Sequence, residues 1–379
     1  MIASAHADPA RRVSRARVAW FASIVFCGVL PVATVLTLFV STVQDDSVAF
    51  DFRPVHRAAG AILDGRSPYP AKDDPLTAES AAYVYPPLPA LLAFPLRTLP
   101  VDAAGLVVML LLTAAVLATL WSLDVRDWRC YGLAFLWPPV LSAIQTGNVT
   151  LLLGLCAALS WRFRDKAVPA AALVGVTVAA KFFMWPLAVW LAATRRLAAA
   201  ALAVALGLGL LVSSWAVIGF AGLADYPDLM RRLQDSIGED SYTLHVVALD
   251  LGLPDGLARA VWFAAGLGLL AAMVVVGRKR DERRAFVLAL AAALALTPIV
   301  WLHYFALLLV VVALTRPRLG VVWFVPLALV VTPGSGHPTP FETSWTLVVA
   351  ALVVGLALRA AGLRPAGSEP GPRAEVSSA

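Results

Sequence analysis

A small set of polar side chains stands out in a sequence that has few of them. Asp51 heads the segment DFRPVHRAAGAIL, in which Phe52, Val55, Ala59, Ile62 and Leu63 recur at helical spacing. A carboxylate at a helix start is favoured in its ionised form by the helix dipole, which suits a proton acceptor. The plain alternative is that Asp51 only caps the helix. Arg53, His56 and Arg57 follow on what the pattern makes the wetter faces of that helix. Lys181 stands in AAKFFMWP. An ionisable group in such apolar surroundings marks a functional site unless its stem carries it to the interface. His303, two places after Trp301, and His245 are candidate donors to an oxyanion, or members of an aromatic interfacial belt. Tyr85, with Tyr83, either contacts a ligand or anchors the chain at the interface. Asn148, in the break TGN, either hydrogen-bonds a polar ligand or satisfies the interrupted backbone. The adjacent Asp45 and Asp46 could hold a cation. Such a pair is ordinarily a solvated loop, so a divalent metal has no support and no metal site or soluble cofactor is expected.

The elements that must position these groups are apolar helices. The chain has 379 residues, 60 % of them apolar and 14 % charged, against about 25 % charged in soluble domains. This excludes a soluble globule and a disordered chain, and reads as an all-α polytopic membrane protein. The net charge of +6 lies in short clusters between apolar runs, so nucleic acid is not an expected partner, whereas membrane lipids are. The three cysteines, Cys27, Cys130 and Cys156, form neither a disulfide framework nor a metal spacing. No GxGxxG or GxxxxGK[ST] loop is present.

Apolar runs at 18–41, 101–123, 197–219, 258–277, 285–300, 303–315, 319–332 and 343–361, with four shorter ones at 131–145, 148–163, 168–181 and 183–194, give about twelve transmembrane helices. The Pro-rich stretch 86–99 reads as a re-entrant or surface-lying helix. With the N-terminus placed in the cytoplasm, 21 of the 30 basic residues fall on the inner side, as the positive-inside rule requires. Both termini are then cytoplasmic. The first span is longer than a signal-peptide apolar region and no A-x-A site follows it, so it reads as an uncleaved anchor. Residues 1–17 and 364–379 read as a disordered basic arm and tail around one transmembrane domain, 18–363. Two long outer loops, 42–100 and 220–257, hold most of the acidic residues. Loops of this length are usually functional or carry structure of their own.

The pieces Asp51-Phe52, Ala58-Ala59, Leu63, Gly65, Ser67-Pro68-Tyr69 and Tyr83-Val84-Tyr85-Pro86-Pro87-Leu88 resemble the opening of glycosyltransferase family 87. Gly147-Asn148-Val149 with Leu151-Leu152-Leu153, Ala180-Lys181 with Pro186, and Thr297-Pro298-Ile299 with Trp301, His303 and Tyr304 resemble later family segments in the same order. The resemblance runs over about 48–315. Departures are Asn148 and Thr150 where the family has Gln and Asn, a single His303 for a His-His pair, and Ser241-Tyr242-Thr243-Leu244-His245 for an Asn-Gln-Ser-Leu segment.

This resemblance implies a GT-C-like helical bundle in a bacterial plasma membrane, with an outward-facing site roofed by the first loop and the 86–99 helix. It implies a polyprenyl-phosphate sugar donor, mannose as the sugar, and a cell-envelope glycolipid or glycan acceptor. Asp51 would be the base of an inverting displacement. Lys181, with Arg53, Arg57, His56, His303, His245, Tyr85 and Asn148, would bind the donor phosphate or substrate. Two other readings stay open: a transporter or flippase of lipid-linked sugars, and a non-catalytic relative acting as a partner.

Overall fold

The computed structural model describes residues 9–45, 47–71, 82–333 and 337–362, and among these every regular element is a helix. The expected tail 364–379, the first part of the expected arm and Asp46 lie outside the described residues. A helix begins at Pro9, within the expected arm, and runs to Ile24. It passes through a π-helical turn, Val25–Val29, into the helix Leu30–Gln44. Pro31 explains the turn, since a proline without an N–H cannot complete the regular ladder. Gly132 lies directly against the carbonyl of Cys27 in this turn, an approach that only a residue without a side chain permits.

Among the described residues five helices are long and apolar enough to cross a bilayer: Arg17–Gln44, Val101–Ser122, Leu197–Val217, Asp255–Arg278 and Pro340–Gly362. A bent pair, Pro138–Thr146 and Thr150–Arg162, makes up to six. A helical membrane protein is therefore what the chain builds, but length and hydropathy among the described residues support five or six crossing helices and not about twelve. The difference has a physical cause. Pro138 and Pro139, the Gly147-Asn148 break, the Lys181 break and the Pro298 region cut the remaining apolar sequence into short pieces. Protein surrounds two of those pieces. Glu282–Ala295 is buried from Ala285 through Ala293, and every residue from Leu302 to Thr315 is buried. Irregular backbone is tolerated at such depth only inside protein. The 86–99 stretch forms the helix Pro87–Leu92 and a 3-10 turn, Phe94–Thr98.

Tight packing comes from small and aromatic residues. The helices Ala167–Ala180 and Leu197–Val217 cross where Gly175 faces Gly207, and a Cβ on Gly175 would stand 3.0 Å from the Ala203 carbonyl. Trp161 stacks on Trp190 in the interior and Phe286 meets both at steeper angles, with ring centroids 4.8–6.0 Å apart.

The bundle has two polar ends. Val101–Ser122 spans about 33 Å at 1.5 Å per residue. At its first turn Asp102 meets Arg53, and beyond its last turn Arg162 donates to the Ser122 carbonyl. The Arg53 end holds the two long loops, fastened by aromatic contacts. Tyr69 stacks on Trp215 at 5.1 Å, and the Tyr226 hydroxyl donates to the Val84 carbonyl at 2.8 Å. The Arg162 end gathers the basic connections. Arg164 and Arg196 both pair with Glu282, at 3.0 and 2.8 Å, and Arg196 also reaches Asp165.

Candidate active site

Three helix breaks converge next to the start of the helix Phe52–Leu63. The first is the elbow between Pro138–Thr146 and Thr150–Arg162, which turns the chain by 117°. Gly147 makes it possible by adopting φ +71°, and a Cβ there would stand 2.6 Å from that of Ala49. The loop before Asp51 can therefore lie against the elbow. The Asp51 N–H donates to the Thr146 carbonyl at 2.7 Å, and Asn148 Nδ2 donates to Asp51 Oδ2 at 2.8 Å. Asn148 is itself fixed, because its Oδ1 accepts from the Thr150 N–H at 3.1 Å and the Thr150 hydroxyl at 2.7 Å. The Asp51 side chain makes no capping bond to its own helix. It faces the elbow instead, so capping does not account for it.

The second break is Lys181, an extended residue between Ala167–Ala180 and the 3-10 turn Phe182–Met184. It does not snorkel. Lys181 is 7 % exposed, and its ammonium has no hydrogen-bond partner among the described residues. Nζ lies 3.9 Å from the centre of the Tyr304 ring and 5.3 Å from that of Tyr85. The third break precedes the 3-10 turn Leu302–Leu307. It brings in His303, buried and stacked on Tyr304, with Nε2 3.8 Å from Asp51 Oδ2.

Burial pushes the Asp51 carboxyl above the ordinary carboxylate range. The Asn148 hydrogen bond, the charge of Lys181 and Thr146 pull it back in that order. The cluster thus holds a carboxylate, a lysine and a histidine in one nearly dry space, with less pairing than their burial demands. Such a cluster can take a proton and receive negative charge.

The structure brings Asp51, Asn148, Lys181, His303 and Tyr85 together. It does not bring the others. Arg53 pairs with Asp102 at 3.0 Å. Arg57 is exposed and borders a groove of about 400 Å³ with Arg97, Tyr69 and Tyr83, which Asp51 and Lys181 do not line. His56 corrects the expected wet face, being buried with its ring 6.0 Å from that of Phe52. The helix is covered on more sides than a surface-lying helix, with Pro54, Val55 and Gly60 also buried. His245 pairs with Asp255 at 3.0 Å and lies beside Trp262. Tyr304 and the Thr146 carbonyl were not candidates in the sequence reading. Tyr304 adjoins His303 in the chain and so offers a signal, whereas a backbone carbonyl offers none. Among the described residues no three His, Cys, Asp or Glu side chains gather as a metal site would require.

The family model described as glycosyltransferase family 87 matches residues 83–298, more than half of the 379 residues. The chain belongs to glycosyltransferase family 87. With its apolar spans it is a membrane glycosyltransferase. No curated protein and no solved structure matches it. The family 87 match contains Tyr85, Asn148 and Lys181, while Asp51 precedes it and His303 follows it.

Proposed function

We propose that this family 87 member moves a sugar, mannose by family resemblance, from a polyprenyl-phosphate donor to a glycolipid or glycan of the cell envelope. Asp51 takes the proton of the acceptor hydroxyl. The acceptor oxygen bonds to carbon 1 of the sugar as the bond from carbon 1 to the phosphate oxygen breaks. The electron pair leaves with the polyprenyl phosphate, and a single displacement inverts the anomeric centre. Lys181, assisted by His303, receives the charge that develops on the phosphate. Asn148 aims the base.

The observation that carries this reading is the shared cluster of Asp51 and Lys181: His303 stands 3.8 Å from Asp51 and stacks on Tyr304, over whose ring Lys181 Nζ lies at 3.9 Å, with no hydrogen bond to the Lys181 ammonium among the described residues. An ion pair serving the fold alone would give that ammonium a partner. The gathering of arginine-rich connections at the opposite end supports an inward orientation for that end and an outward one for the site. The test is transfer by the purified protein from labelled polyprenyl-phosphate mannose, with the product and its anomeric configuration identified. Absence of transfer from any polyprenyl-phosphate sugar, or a retained configuration, overturns the reading.

A further inference from the structure

At the end of the bundle away from Asp51, the connections 123–127 and 316–320 border an open cleft of about 880 Å³. Arg126, Arg316 and Arg318 line it, together with the apolar Val321, Val322 and Leu356. We propose that this cleft binds the headgroup of an anionic phospholipid, with the acyl chains running over the exposed apolar residues beside it.

The charge balance favours an anion. The two acidic residues on the lining are already engaged. Asp127 takes Arg129 at 2.8 Å and the Leu319 N–H at 3.1 Å, and these bonds hold its pKa down at about 2. Asp124 pairs with Arg126 at 2.8 Å and has Arg162 at 3.9 Å. Among the described residues no carboxylate pairs with Arg316 or Arg318. The rim is built, not loose. Trp323 Nε1 donates to the carbonyls of Arg316 and Arg318 at 2.8 and 3.1 Å, and Trp137 Nε1 donates to the Trp323 carbonyl at 2.9 Å.

The neighbours favour a lipid over a free anion. Val321 is 80 % exposed, and Phe324 and Trp121 stand out from the same end. Arg126 lies over the Trp121 ring at 4.0 Å. Guanidinium groups beside exposed Val, Phe and Trp match a phosphate attached to acyl chains, and basic pockets between spans bind anionic headgroups in this way. The inference rests on the membrane fold and not on the transfer reaction.

The test uses the full chain purified in neutral detergent and titrated with phosphatidylglycerol under native mass spectrometry. Phosphatidylcholine of the same chains and inorganic phosphate form the other arms. The wild type should retain phosphatidylglycerol in preference to phosphatidylcholine, and phosphate should not displace it. R316Q/R318Q should bind roughly thirtyfold more weakly, R126Q about fivefold, and R278Q, at the same end but off the lining, should match the wild type. Should the double variant fail to fold, R126Q and R316Q decide singly. Equal binding by these variants and the wild type, equal retention of both lipids, or displacement by inorganic phosphate overturns the proposal.

Discussion

Two buried charge clusters, one near each end of the bundle, are built in opposite ways. At the arginine-rich end Glu282 bridges Arg164 and Arg196, Asp165 adds a second contact to Arg196, and Asp127 takes both Arg129 and a backbone N–H. At the other end Lys181 has only aromatic faces, and Nε2 of His303 is without a hydrogen bond among the described residues. Burial costs a charge far more than exposure does. The more deeply buried cluster should therefore be the better paired one if both served only to hold the fold. The reverse is found. Leaving charges unpaired where pairing is worth most is what a site needs if its partner is a substrate.

Removal of the carboxylate should break this contrast most sharply. D51N should lower transfer about 10³-fold with normal membrane insertion, measured as initial rate per folded molecule. A non-catalytic scaffold would be indifferent. In the wild type the acid limb of the rate profile should lie above the ordinary carboxylate range, because burial raises the Asp51 pKa and the base is lost as pH falls through that raised value. K181M comes next, with about 10²-fold lower kcat as the departing phosphate loses its cation. An unchanged kcat with only a raised KM would move Lys181 from charge stabilisation to donor binding.

N148A sharpens the same end by a smaller step. It should cost about tenfold in rate. It should also move the acid limb to higher pH, since the Asn148 bond is the largest of the influences that hold the Asp51 pKa down. A rate loss with no shift of that limb would assign Asn148 to the elbow's stability alone.

What the sequence made legible follows the same division. Asp51 and Lys181 could be found because an ionisable residue in or beside an apolar run is costly and therefore rare. Asn148 could be found because TGN interrupts such a run. Tyr304 escaped as a cation partner because its contact with Lys181 joins residues far apart in the chain and depends on packing no local pattern encodes. His56 was misjudged because periodicity fixes one buried face, whereas this helix is covered on more. His245 sits in a loop helix whose pairing with Asp255 depends on how that loop folds. The helical membrane class was plain from composition. The count of spans was not, since hydropathy does not show where an apolar run is divided into pieces as short as Leu302–Leu307 and Leu308–Thr315.

The smallest effect on transfer is expected from E282Q, and its value lies in that smallness. Glu282 holds Arg164 and Arg196, which are only 12 % and 16 % exposed. Without the carboxylate, two nearly buried guanidinium groups face each other with Asp165 as the remaining neighbour of Arg196. The cost should be about 1–3 kcal/mol of stability, read as a temperature of half-inactivation lowered by a few degrees. The kcat of the surviving protein should stay within twofold of wild type, because the pair lies across the length of the bundle from Asp51. A fall in kcat comparable to that of K181M at unchanged stability would instead couple the arginine network to the chemistry. The division between a paired structural cluster around Glu282 and an underpaired reactive one around Asp51 would then fail.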